Sequence, residues 1–275
     1  MAIITISRQM GTGAYEIAKD VAKRLKYSLV DGSRIVEMAT AYGLSAEELQ
    51  KVDEKPPVAH SDDDQRYAAH LSVIELLLLE CCRHGNVIIY GRGGQDLLAG
   101  MDNVLRLRFV APYEDRVENF AEREWLDPDL ARALIRRSDQ QRSGFIHYYF
   151  DRDWNDPLGY DAVFNTSRLS PSAVVESITA AVRDPRLTGT EVEALRLLED
   201  KILCKRIETE LLKSGAVEYL HFRTEVAQGT VTFSGHVHND AERLSAIAIA
   251  KGVSGAVRVI DRLQVVEYRR YRGRQ

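Results

Sequence analysis

Ile3-Ile4-Thr5-Ile6-Ser7-Arg8-Gln9-Met10-Gly11-Thr12-Gly13-Ala14-Tyr15-Glu16 decides how the first two-thirds of this 275-residue chain is read. The β-branched run 3–6 has the character of a buried parallel strand. Gly11 and Gly13 supply a turn, and Ile17, Val21, Ala22 and Leu25 follow at helical spacing. A strand, a glycine turn and a helix N-terminus make an anion site, because backbone N–H groups can approach a ligand and the helix dipole favours negative charge. The phosphate-loop pattern G-x-x-x-x-G-K-[ST] requires Gly at 8, Lys at 14 and a hydroxyl at 15. Here those positions hold Arg8, Ala14 and Tyr15. By motif alone, the two glycines read equally well as a packing turn.

Outward from this stretch, strands are expected at 28–30, 86–90, 104–110 and 162–164. Helices are expected at 34–42, from Ser45, at 65–83, 113–124, 128–149 and 171–183. Ser45 and Glu48 have capping-box spacing, and Ser170 precedes Pro171 as an N-cap. Residues 52–64 form a long polar loop containing His60. Five short strands separated by helices imply a parallel three-layer α/β sheet, whose ligand site lies at the carboxyl ends of the strands. Those ends carry Arg8, Asp31, Arg34 and Arg92, a set suited to phosphate and sugar groups. Residues 184–190 have linker composition. A long amphipathic helix at 191–214, strands at 221–226 and 229–234, a helix at 240–252 and a strand at 256–266 then give an αββαβ order, a second small α+β domain.

Hydrophobic residues make up 45% and charged residues 28%, as in a soluble globular chain. A net charge of −4 gives no sign of a specific nucleic-acid partner. Three cysteines, two of them adjacent, form neither a disulfide framework nor a metal-ligand spacing, and a reducing cytoplasm is the simplest home. The apolar run Leu76 to Leu79 lies between Glu75 and Glu80 and spans no membrane. The aromatic group Phe145, His147, Tyr148, Tyr149, Phe150 and Trp154 reads as helix packing or as a platform for a base. The tail from Tyr268 is basic.

Residues 1–184 resemble the cytidylate kinase-like family of P-loop nucleoside monophosphate kinases. The resemblance is carried by Ile4 to Gln9 with Gly11-Thr12-Gly13, by Asp53-Glu54-Lys55, by Gly91-Arg92-Gly93 and by Val110-Ala111-Pro112 through Asp115-Arg116. It continues through Asp139 with Arg142 and through Asp161 to Ser167. Residues 191–268 resemble a BON domain, through 229–237 and 253–259.

The first resemblance implies ATP and Mg²⁺ as cofactors of an active chain, with nucleotide binding at Gly11, Thr12, Gly13, Asp31, Arg34, Arg92 and Asp139. Arg92 matches the arginine placed on the monophosphate. Arg137, Asp139 and Arg142 match the lid-and-base region, where arginines approach the transferring phosphoryl group; taken alone, they also read as a solvated helix face. Arg8 is the nearby cation able to substitute for the missing lysine, so Arg8, Arg137 and Arg142 are the expected catalytic residues. Two readings follow. One is a kinase acting on a pyrimidine nucleoside monophosphate. The other is a pseudokinase that keeps the pocket as a sensor or scaffold, favoured by Ala14 and Tyr15. The BON resemblance implies a recognition module for a small ligand, a protein or a membrane surface. The sequence permits a homo-oligomer without indicating one.

Overall fold

Val, Ile and Leu dominate the central strands of the first unit because those strands are covered on both faces. The computed structural model describes residues 2–40, 42, 44–52, 54–56, 64–189, 191–215, 217 and 222–266. Asp53, His60 and the tail from Tyr268 therefore lie outside the described residues. The chain groups into two compact units. One takes the N-terminal segment and Leu77–Leu195; the other takes the residues before Leu77 in the helix Asp64–Cys82 and the chain from Arg196 onward.

In the first unit, β1 (Ile3–Arg8) leads to α1 (Ala14–Leu25), β2 (Ser28–Val30), α2 (Gly32–Thr40), α3 (Ala46–Lys51) and, from Leu77 onward, the end of α4 (Asp64–Cys82). Then come β3 (Val87–Tyr90), α5 (Gly94–Leu97), β4 (Val104–Val110), α6 (Tyr113–Glu124), α7 (Pro128–Phe150), β5 (Ala162–Asn165), α8 (Pro171–Ala181) and α9 (Pro185–Thr188). All five strands are parallel, in the order β2-β3-β1-β4-β5. Ile4, Ile6, Leu107 and Phe109 bury one sheet face against Ala18 and Val21 of α1 and Val174 and Ile178 of α8. Connections from β1 run toward β2 and those from β4 toward β5, so a crevice opens at the carboxyl end of the central β1.

The expected helices and strands are present, with two local differences. Residues 185–188 of the expected linker form a helical turn, its N-cap Asp184 accepting from Arg186 N. A short helix, α5, follows Gly93. In β4, Arg108 is 2% exposed. Its guanidinium stacks 3.6 Å from the Trp154 ring and donates to Ser7 Oγ at 2.9 Å.

The second unit contains α10 (Glu191–Ser214) from Arg196 onward, β6 (Phe222–Ala227), β7 (Thr230–Val237), α11 (Asp240–Gly252) and β8 (Arg258–Val265). β7 pairs antiparallel with β6 and parallel with β8. Leu203, Ile207, Phe222, Val231, Phe233 and Ala246 form its core. Gln228 and Gly229, both at positive φ, make a two-residue hairpin turn, and their N–H groups donate to Asp200 at 2.8 and 3.0 Å. The α4 portion contributes Ser72, 2.8 Å from Thr209 Oγ1, and Glu75, 2.7 Å from Lys205 Nζ. Lys205 also meets Glu208 at 2.6 Å. Burial would lower the Lys205 pKa, but the two carboxylates outweigh it and raise it well above the usual value. The sequence reading has no counterpart to the division inside α4. Among the described residues, no helix is long and apolar enough to cross a membrane.

Candidate functional site

The loop after β1 is held from beneath by a buried ion pair. Gln9 N donates to Phe109 O at 3.1 Å, and Met10 N to Asp139 Oδ1 at 3.0 Å. Arg116, buried under the turn, donates from Nη1 to Met10 O at 3.0 Å and to Asp139 Oδ2 at 2.7 Å. Gly11 has φ +86, and a Cβ there would sit 2.5 Å from Arg116 O. The close approach of these two backbones therefore needs glycine. Gly13, at φ 70, begins α1 with no side-chain cap. Thr12 Oγ1 donates to Gln9 O at 2.9 Å. The first-turn N–H groups of α1 are thus left to a ligand or water. The loop and first turn line a cleft of about 440 Å³, together with Arg8, Tyr90, Arg123 and Arg142. Ala14 adds no charge there, and Glu16 is paired with Lys19 at 2.9 Å.

A second cleft, of about 260 Å³, shares Arg8, Tyr15 and Tyr90 with the first and adds Asp31, Glu54 and Arg92. Asp31 accepts from Tyr15 Oη at 2.7 Å and from Arg34 N at 3.0 Å. Burial would raise the Asp31 pKa, but these hydrogen bonds outweigh it and hold the carboxyl below its usual value. Arg92 has φ 57 and lies between Gly91 and Gly93, both also at positive φ. A Cβ on Gly91 would collide with Glu54 Oε1 and Arg8 Nη1, so this glycine makes room for an ion pair.

That ion pair joins the two clefts. Glu54 accepts from Arg8 Nη1 at 2.7 Å, Arg142 Nε at 2.9 Å and Arg92 N at 2.6 Å. Burial would raise the Glu54 pKa, yet the charges and hydrogen bonds of Arg8 and Arg142 depress it far below the carboxylate range. Arg8, whose guanidinium carbon lies 4.5 Å from the Tyr90 ring centroid, is stabilised as the cation: burial would lower its pKa, but Glu54 outweighs it. Removing one partner from such a buried pair costs about 3–5 kcal/mol.

Of the expected site residues, the fold brings Arg8, Gly11, Thr12, Gly13 and Arg142 to the first cleft and Arg8, Asp31 and Arg92 to the second. Asp139 acts under the loop, 4.0 Å from Arg142 Nη1. Arg34 points away from both clefts, its side chain paired with Glu37 at 2.9 Å. Arg137 is exposed on α7 and lines neither cleft. In the aromatic group, Phe145 and Trp154 are core residues, and Phe145 packs against Tyr149 and Phe150. Glu54 and Arg116 stand in the matched sequence segments, but no local pattern gave either a role. Each acts across distant parts of the chain.

Residues 199–267 match the BON domain. A cytidylate kinase from Pyrococcus horikoshii is 30% identical over 182 residues, covering 66% of this chain and 88% of that protein. One from Methanocaldococcus jannaschii is 30% identical over 184 residues, covering 66% and 97%. An uncharacterized protein from Eubacterium ventriosum superposes with a TM-score of 0.52 at 17% identity, over 67% of this chain and 99% of that one, a likeness of fold. Residues 3–168, more than half of the chain, match the cytidylate kinase-like family, and the chain belongs to that family.

Proposed function

We propose that the first unit binds ATP at the 11–16 loop and a pyrimidine nucleoside monophosphate in the cleft of Asp31 and Arg92. It moves the γ-phosphoryl group from one to the other, leaving ADP and a nucleoside diphosphate. The observation that carries this reading is the pair of adjoining clefts sharing Arg8, Tyr15 and Tyr90. Phosphoryl transfer needs positioning and donors for charge spread over oxygens. Arg8 and Arg142 are the cations at the junction, and the uncapped start of α1 suits a phosphate chain. Among the described residues no cluster of three metal-ligating side chains occurs. Mg²⁺ fits as an ion carried on the phosphates, where it neutralises negative charge, and Glu16 and Glu124 are the carboxylates lining that cleft.

A pseudokinase reading has its own support. Ala14 is 2% exposed and uncharged where the phosphate lysine stands, and the Tyr15 hydroxyl is engaged by Asp31. In that reading the same clefts sense a nucleotide without turnover. The second unit is then a recognition module in either case, for a small ligand, a protein or a membrane surface. A reducing cytoplasm suits the three free cysteines. The test is ADP production from ATP across nucleoside monophosphates, beside calorimetry with ATP and CMP. Turnover supports the kinase, binding without turnover supports the sensor, and no binding overturns both.

A further inference from the structure

The Glu54 carboxylate gathers donors from three separate places: the end of β1, the turn after β3 and the middle of α7. Its own backbone has φ 47, a left-handed conformation that a non-glycine residue keeps only where its surroundings enforce it. Pro56, two residues on, lies against α7 at Gly144, where an added Cβ would sit 3.2 Å from the proline ring. The segment is thus docked at both ends. Arg142 gives its Nε to Glu54, while its Nη1 is buried, 4.0 Å from Asp139 Oδ1, and makes no hydrogen bond among the described residues. Such an orphan donor calls for an explanation. The space beside Glu54, Arg8, Arg142 and Trp154 is about 10 Å³, room for one water at most. A phosphoryl group therefore has to come from the other side, the cleft at the 11–16 loop that both arginines also line.

Resting on the nucleotide-binding reading above, we propose that Glu54 is a positioning residue. It clamps Arg8 and Arg142 between the two clefts so that they meet the oxygens of the transferring phosphoryl group. The competing picture makes Glu54 an internal phosphate mimic that substrate must expel. Expulsion would take a deeply ionised carboxylate out of three hydrogen bonds and release the alignment of the arginines it holds. The two pictures predict opposite signs for the loss of Glu54.

The experiment titrates ATP with Mg²⁺ by calorimetry into full-length wild type, Glu54→Gln and Glu54→Asp, below their melting temperatures. Glu54→Asp keeps the charge but shortens the reach by one methylene, so it folds even where Glu54→Gln does not. It is expected to bind ATP at least tenfold more weakly. In an Arg142→Ala background, Glu54→Asp is expected to cost less than in wild type, because the share of its effect that runs through Arg142 is already gone while the share through Arg8 remains; a residue acting through neither arginine would show no such dependence. Unchanged or tighter binding by Glu54→Asp, or full additivity with Arg142→Ala, overturns the positioning role. A wild type that binds no ATP overturns the parent reading and this one with it.

Discussion

Tyr15 donates its hydroxyl hydrogen to Asp31 Oδ2 at 2.7 Å, tying the first turn of α1 to the carboxyl end of β2. The hydrogen bond, and then burial, pushes the Tyr15 phenol from 10.0 up to about 12. A raised folded-state pKa means the stabilisation is complete below the unfolded value and is lost as pH climbs through the folded one. Wild type should lose more stability than Tyr15→Phe between pH 10.0 and about 12. Parallel curves of melting temperature against pH would refute this.

Ala14→Lys restores a cation at the start of α1, at a position lining the 440 Å³ cleft. A hydrogen bond to a charged group is worth roughly 1.5–3 kcal/mol, so ATP affinity should rise about tenfold. Calorimetry showing no gain would mean that the loop does not cradle phosphate, or that Arg8 already fills the role.

Arg92→Ala should abolish the rise in melting temperature that CMP produces. The substitution keeps a Cβ at the same left-handed position, so it removes the guanidinium without altering the backbone demand. A large ligand-free drop would make Arg92 a structural residue instead.

Asp139→Asn removes the counter-charge of Arg116, whose side chain is 6% exposed. Asp139 is itself 19% exposed, so the expected cost is about 2–4 kcal/mol, somewhat under the range for a fully buried pair. Urea unfolding of the first unit measures it. A loss below about 1 kcal/mol would show that the loop does not depend on this pair.

A fragment of residues 190–275 omits Ser72 and Glu75, leaving Lys205 with Glu208 as its ion-pair partner among the described residues. It should melt several degrees below the matching transition of the full chain. An equal melting temperature would make the α4 contribution dispensable and the C-terminal segment independent.

The sequence by itself determined what local periodicity and turn chemistry encode. The β-branched run 3–6, Gly11 and Gly13, the Ser45–Glu48 box and the Ser170-Pro171 start were legible because each depends on neighbours a few residues away. So was the parallel sheet, since short apolar strands separated by helices leave little else. The ends of the strands then pointed to Arg8, Asp31 and Arg92. Only the tertiary structure decided which groups hold them in place. Glu54 lies 46 residues from Arg8 and 88 from Arg142, and Arg116 reaches Met10 across 106; no window of sequence contains such pairs. Arg34 and Arg137 line neither cleft, because the helical position that puts a charge near a site does not say which face it occupies. Burial settled Arg108 as well. A charged residue in a strand reads as solvent-facing until an aromatic ring encloses it, and that enclosure is a property of the packed structure alone.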